Sequence, residues 1–223
     1  MFSADRLPLA EAYAASLADA GVVRGLIGPR EAPRLWERHL LNCAVLGEAI
    51  PAGSTVCDIG SGAGLPGIVL AIARPDLSLT LVEPLLRRTT YLDEVVAELE
   101  LTNVEVIRGR ADAVHGLRTF DVVTSRAVAP LGRLLEWSMP LVAASGELVA
   151  MKGSSLTAEI DDASAVLTGF GCSSPVPVVL GEGIVDPQTY AVRVAWDGPP
   201  KVRWDVPSDS ARKNSHRRSP GRS

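Results

Sequence analysis

The residues with the types and spacing to do chemistry stand at the ends of short apolar runs. Residues 56–67, VCDIGSGAGLPG, carry an acid and then glycines at alternate positions, Gly60, Gly62 and Gly64. With no Cβ, such positions let the chain turn tightly and let backbone N–H groups close on a ligand. The spacing is GxGxG, whereas a dinucleotide loop wants GxGxxG, so the run leans toward the S-adenosylmethionine (AdoMet) variant of a nucleotide-binding fold. Asp58, Gly60, Ser61, Gly62, Gly64 and Leu65 are its candidate cofactor contacts. Glu83 follows 23 residues after Gly60, at the end of the next apolar run. A doubly wound fold places a carboxylate there to accept both ribose hydroxyls, and the glycine loop favours that role over a helix cap. Ala111 and Asp112, in the turn after the third run, are candidates for the adenine pocket, although Asp112 also suits a helix N-cap.

On the side where a methyl acceptor would sit stand two cations, Arg126 and Lys152. Methyl transfer from a sulfonium is an in-line displacement whose catalysis is mostly positioning, worth roughly 7–11 kcal/mol. A base is needed only if the nucleophile must lose a proton. The fourth run is not followed by an Asn/Asp-Pro-Pro-aromatic clamp for an exocyclic amine, and no cysteine follows the fourth or fifth run to attack a pyrimidine. Guanine N7 already offers a lone pair and needs only to be held in line. Arginine can bond the guanine O6/N7 edge or grip a phosphate. Because methylation consumes N7, Arg126 is assigned a phosphate or O6 contact beside the cofactor, with an ion pair in the sheet as the alternative. Lys152, the one lysine before residue 201, suits either an acceptor contact or a solvated strand end.

The elements that must position these residues follow from periodicity. Residues 4–20 and 33–49 have helical spacing, the second stretch carrying Arg38 and His39 in its middle. Strands are expected at 55–59, 77–82, 104–107, 120–124 and 147–151. Helices alternate with them at 67–73 and 84–99 and ahead of Pro140. That alternation implies a parallel sheet with right-handed crossovers and a ligand crevice at the carboxyl ends of the strands. A helix at 156–167 and strands at 176–180 and 190–196 complete the expected fold. It is an α/β, Rossmann-like class I AdoMet-dependent methyltransferase fold, with a mainly parallel seven-stranded sheet, helices on both faces and an N-terminal helical extension. The expected organisation is a helical cap over 1–50, the nucleotide-binding domain over 51–198 and a basic tail over 199–223.

The chain has 223 residues, 47% of them apolar, which suits one globular domain with decoration. No apolar run approaches the roughly 20 residues that span a bilayer, and residues 1–21 lack the pattern of a secretory leader. A cytoplasmic protein, monomeric and without membrane or DNA partners, is expected. Cys43, Cys57 and Cys172 have no paired metal spacing, so no metal is expected. The net charge of −4 hides an asymmetry: from Lys201 onward seven basic residues face Asp205 and Asp209, a local +5, against −9 for the first 200 residues. Lys201, Arg203, Arg212, Lys213, Arg217 and Arg218 are therefore candidate RNA contacts on a detachable arm, with solvated disorder as the alternative.

Taken together, RLWERHLLNC, the glycine-loop run through LVEPLLRRTTYL, TSRAVAPL and MKG resemble the RsmG (GidB) family of 16S ribosomal RNA guanine-N7 methyltransferases. The resemblance covers about residues 35–153. It implies AdoMet on the glycine loop and Glu83, with Ala111 and Asp112 near the adenine and Arg126 beside the acceptor. It further implies that Arg38, His39, Arg87 and Arg88 form a basic surface near RNA, and that the target guanine lies in a small-subunit loop near the decoding centre. Two departures are Ser61 and Ala63, where relatives often carry threonine or proline, and Gln188 to Tyr190, where a basic residue commonly opens the last strand.

Elementary RNA geometry agrees with a loop target, because N7 faces the deep, narrow major groove of A-form RNA, which side chains do not enter. Two other classes compete: a small-molecule AdoMet-dependent methyltransferase, favoured by the acidic body, and a non-catalytic AdoMet-binding module that associates with RNA.

Overall fold

The structure is a computed structural model that describes residues 1–153 and 155–201. Its centre is β1 (Thr55–Ile59), buried from Val56 to Ile59 because both faces of the sheet are covered. Val56 belongs to the core on one face of the sheet, and Cys57 and Ile59 to the core on the other. The same alternation recurs on β2 (Ser78–Glu83), where Leu79 and Leu81 oppose Val82, and on β5 (Val142–Lys152), where Val149 and Met151 oppose Leu148 and Ala150.

Together with β3 (Val104–Arg108), β4 (Phe120–Arg126), β6 (Val176–Leu180) and β7 (Thr189–Ala195), these make one sheet of order β3-β2-β1-β4-β5-β7-β6. β3, β2, β1, β4 and β5 run parallel, and β7 lies antiparallel to β5 and to β6. The chain reverses its direction of winding between β1 and β4. Such a switch point opens a crevice at the strands' carboxyl ends, and Ile59, Glu83 and Arg126 all stand there.

One face is covered by α1 (Leu7–Ser16), α2 (Leu41–Val45), α3 (Gly67–Ala73) and α4 (Leu86–Glu98). The other face carries α5 (Leu131–Ser138), α6 (Leu156–Asp162) and α7 (Ser164–Phe170). The N-terminal helices share the core of the first face: Tyr13, Leu17, Leu40 and Leu46 are fully buried in it. Arg6 ties α1 to the end of α3, donating to the carbonyls of Ile72 at 3.0 Å and Ala71 at 3.3 Å. These are carbonyls that a helix C-terminus leaves without partners.

Four expected elements differ in detail. The stretch over 4–20 is α1 followed by a π turn (Leu17–Gly21). The stretch over 33–49 is not one helix but a 3-10 turn (Ala32–Arg34), a π turn (Trp36–Leu40), α2 and a second 3-10 turn (Leu46–Ala49). The helix expected over 156–167 is divided at Ala163 into α6 and α7 and runs on to Phe170. The fifth strand is longer than its apolar centre, because β7 pairs with it from Glu147 to Lys152 while its first residue pairs with Phe120. No helix among the described residues is long and apolar enough to cross a membrane.

Candidate active site

The glycine loop leaves β1 beside the end of β2, and the two are laced together. Gly60 donates to the Val82 carbonyl at 2.8 Å, Ser61 to the same oxygen at 3.3 Å, and Gly62 to Oε2 of Glu83 at 3.0 Å. Gly64 and Leu65 donate to the Ser61 carbonyl. The loop's amides are thus consumed within the protein, leaving that of Ala63. This differs from the expectation that they would close on a ligand. A loop that bound a pyrophosphate would keep those donors free; here the glycines serve shape instead. Gly60 and Gly62 have φ of +69° and +60°, and a Cβ at Gly60 would come within 2.9 Å of Val128.

Behind the loop, Asp58 is fully buried and its Oδ2 accepts the Gly67 N–H at 3.0 Å, which anchors the start of α3. Burial pushes its carboxyl up to about 7, against the hydrogen bonds from Ser61 and Gly67, while the Glu83 charge adds to the rise. Tyr13 reaches the loop from α1, its hydroxyl donating to the Ala63 carbonyl at 2.7 Å.

The crevice is a cavity of about 790 Å³ lined by Gly60, Ser61, Gly62, Ala63, Leu65, Glu83, Arg88, Ala111, Asp112, Arg126, His39 and Val128, among others. That is the size of a cofactor site. Of the expected cofactor contacts it brings together Gly60, Ser61, Gly62, Leu65, Glu83, Ala111, Asp112 and Arg126. Asp58 and Gly64 are not in its lining. Asp58 holds α3, and Gly64, at φ +99°, faces Ile68 and the Tyr13 hydroxyl. Ala111 and Asp112 lie within a short 3-10 turn (Ala111–Ala113) whose cap position is Arg110, so Asp112 is not the cap.

Glu83 is 1% exposed and oriented by its own backbone surroundings: besides Gly62, its Oε1 accepts the Leu85 N–H at 3.0 Å. Arg88 Nη1 lies 3.4 Å from Oε2. Arg88 therefore lines the cavity beside the acid, a correction to its expected place on an RNA-facing surface. The reason is helical phase: α4 begins at Leu86, which turns Arg88 inward and leaves Arg87 exposed.

Arg126 ends β4 and lies against the turn Trp36–Leu40. Its Nη1 donates to the Cys43 sulfur at 3.3 Å, and its Nη2 to Nδ1 of His39 and to the Arg38 carbonyl at 3.5 Å. Burial pushes the Cys43 thiol up to about 11, so the sulfur it presents is neutral. His39 Nε2 in turn lies 2.9 Å from Oε2 of Glu31. Burial, with Arg126 adding, holds the imidazole below its ordinary value, against the pull of Glu31. His39 is thus a neutral cavity-wall residue, correcting its expected role on a basic surface, whereas Arg38 is half-exposed and paired with Glu31 at 3.1 Å.

A second, more open cavity of about 470 Å³ adjoins the first, and Arg126, Ala127 and Val128 line both. Lys152 lines it but is not a free acceptor-side cation. Its side chain is 7% exposed, with Nζ 2.7 Å from Glu159 Oε2 and 2.9 Å from the Ala129 carbonyl. Glu159 also accepts the Leu131 N–H at 2.9 Å. The pair pins the chain between β4 and α5. Lys201 is exposed; Arg203, Arg212, Lys213, Arg217 and Arg218 lie outside the described residues.

Sequence reasoning missed Tyr13, Glu31, Glu159 and Val128. Tyr13 lies within the helical stretch over 4–20, and nothing local marks where its hydroxyl ends.

The sheet order, the buried acid closing β2 and the cavity at the switch point define a Rossmann-like methyltransferase fold. Solved structures agree at the level of fold. The tRNA methyltransferase TrmK of B. subtilis superposes with a TM-score of 0.54 at 20% identity, covering 73% of this chain and 67% of that one. A ribosomal protein L11 methylase from Lactobacillus delbrueckii subsp. bulgaricus gives 0.53 at 14% identity, covering 70% and 76%. In sequence, residues 6–174 match the family model for rRNA small subunit methyltransferase G, and the chain belongs to that family. Ribosomal RNA small subunit methyltransferase G of Nocardioides sp. is 59% identical over 219 residues, 98% of this chain and 88% of the relative. That of Thermobifida fusca is 53% identical over 222 residues, covering 98% and 92%.

Proposed function

We propose that this protein transfers the methyl group of AdoMet to N7 of a guanine in a loop of 16S ribosomal RNA near the decoding centre. Support for the RNA substrate comes from the family, whose relatives are named for small-subunit ribosomal RNA; the N7 position follows from the resemblance and from the lack of an exocyclic-amine clamp or an attacking cysteine in the sequence, and the loop from the resemblance and from RNA groove geometry. The observation that carries the reading is the wall Arg126–Val128, common to the larger cavity on the glycine loop and a more open one beside it.

The donor cavity fits AdoMet better than a phosphate-bearing nucleotide, because the loop's amides are already bonded and an acid stands at its edge. AdoMet supplies an electrophilic methyl on a sulfonium. Glu83 would accept the ribose hydroxyls, the turn Gly109–Asp112 would hold the adenine, and the loop Gly60–Gly62 would hold the amino-acid end. Arg126 orients the acceptor. As the methyl moves, positive charge passes to the guanine ring, so a cation on O6 would oppose transfer. A phosphate of the target nucleotide is the better partner for Arg126. Lys152 and Glu159 hold the acceptor loop in place, and Arg38, Arg87 and the basic tail meet RNA.

The test is methyl incorporation by purified protein into small subunits and free 16S RNA from cells lacking the modification, with the product nucleoside mapped by mass spectrometry. A single 7-methylguanosine is expected. Incorporation into small metabolites alone, or AdoMet binding without transfer to any RNA, would overturn the reading.

A further inference from the structure

Arg126 does not stand by itself. It ends a strand and leans on a turn 87 residues earlier in the chain, against a histidine whose protonation decides whether the contact exists. A guanidinium has only donors, so Nδ1 of His39 accepts from Arg126 and carries no proton. The remaining ring proton therefore sits on Nε2 and is donated to Glu31 Oε2 at 2.9 Å. Glu31 is itself held by Arg38 at 3.1 Å. We propose that His39 is a positioning residue for methyl transfer: as the neutral tautomer selected by Glu31, it anchors Arg126 in the wall between the donor and acceptor cavities.

The proposal rests on the acceptor role of Arg126 given above. The charged and titratable groups acting on the imidazole are Arg126 from β4, Arg38 from its own turn and Glu31 ahead of it. From the other elements packed there, Cys43 of α2 faces Arg126, and Tyr13 of α1 sends its hydroxyl to Ala63. Protonation at Nδ1 removes the acceptor and sets an imidazolium against the guanidinium. The anchor therefore holds above the imidazole's pKa and fails below it. A neutral ring also adds no positive charge beside an acceptor that becomes cationic on methylation. The π turn Trp36–Leu40 places His39 here; such turns recur at functional sites.

The experiment uses the full chain with unmodified small subunits. It compares kcat, KM for RNA, AdoMet affinity and thermal stability for wild type, His39→Ala, His39→Asn and Arg126→Ala across pH 5 to 9. A misplaced positioning group costs up to about 100-fold, so His39→Ala is expected to lower kcat about 10- to 100-fold while AdoMet affinity holds. His39→Asn, whose Oδ1 can accept where Nδ1 did, restores most of kcat and abolishes the loss of kcat at acid pH seen in wild type. If His39→Ala turns over like wild type, or His39→Asn keeps the wild-type acid limb, the proposal is overturned; the second comparison stands even if the alanine variant does not fold. Arg126→Ala separates the two levels. Turnover retained by it sinks the acceptor reading itself, whereas turnover lost there but kept in His39→Ala sinks only the anchor.

Discussion

The Tyr13 hydroxyl and the Ala63 carbonyl, 50 residues apart in the chain, meet at 2.7 Å in the buried seam between α1 and the glycine loop. The first helix is thereby tied to the glycine loop of the proposed donor site. Removing one partner of a buried hydrogen bond leaves the other unsatisfied, at a cost of about 1–3 kcal/mol. Tyr13→Phe should lose that much in urea denaturation and also weaken AdoMet binding by calorimetry. A variant that is less stable yet binds AdoMet as wild type does would detach the seam from the loop.

Glu83 takes N–H groups from Gly62 and Leu85 and still faces the cavity. Glu83→Ala removes the proposed ribose acceptor and frees the loop, so the Kd for AdoMet should rise at least tenfold, about 1.4 kcal/mol. Calorimetry giving an unchanged Kd would exclude the residue from the site.

Lys152 and Glu159 form a largely buried pair that also satisfies the Ala129 carbonyl and the Leu131 N–H. Lys152→Met strands a carboxylate and a carbonyl, and should cost about 1–3 kcal/mol of stability. Replacing both partners with apolar residues should recover much of that loss, as a double-mutant cycle would register. Additive losses in the cycle would mean the two residues act independently.

The Asp58 carboxyl is pushed by burial from 3.8 to about 7, so between those values the folded state binds a proton that the unfolded state has released. The stability linked to that proton is full below about pH 4 and is lost as pH rises through about 7. Asp58→Asn, whose Oδ1 can accept the Gly67 N–H, should flatten this part of the pH profile. Urea midpoints at pH 5 and pH 8 test it; an equal drop in wild type and variant would remove Asp58 as the cause.

Much of the proposed donor site was legible because its residues are fixed by local rules. Gly60 and Gly62 mark a turn with positive φ, and Glu83 follows its strand at the distance one crossover requires. The sheet was legible for the same reason, each strand announcing itself as a short apolar run. The helical stretch over 33–49 was less so, since apolar spacing does not separate an α turn from a π turn. Arg88 and His39 show the limit for side chains. Both were read as surface cations from type and resemblance, but helical phase in one case and a π turn in the other direct them into the cavity.

By itself, then, the amino-acid order determined the strand succession, the glycine turn, the acid that closes β2 and the cation that ends β4, all of which depend on neighbours a few residues away. Only the tertiary structure decided what those groups do with their hydrogen bonds. Lys152 is neutralised by Glu159, Asp58 is withdrawn behind the loop, and Arg126 is handed to His39 across 87 residues. The physical reason is that a polar group removed from water must find a partner wherever packing brings one, and packing is set by the whole sheet rather than by any segment of it.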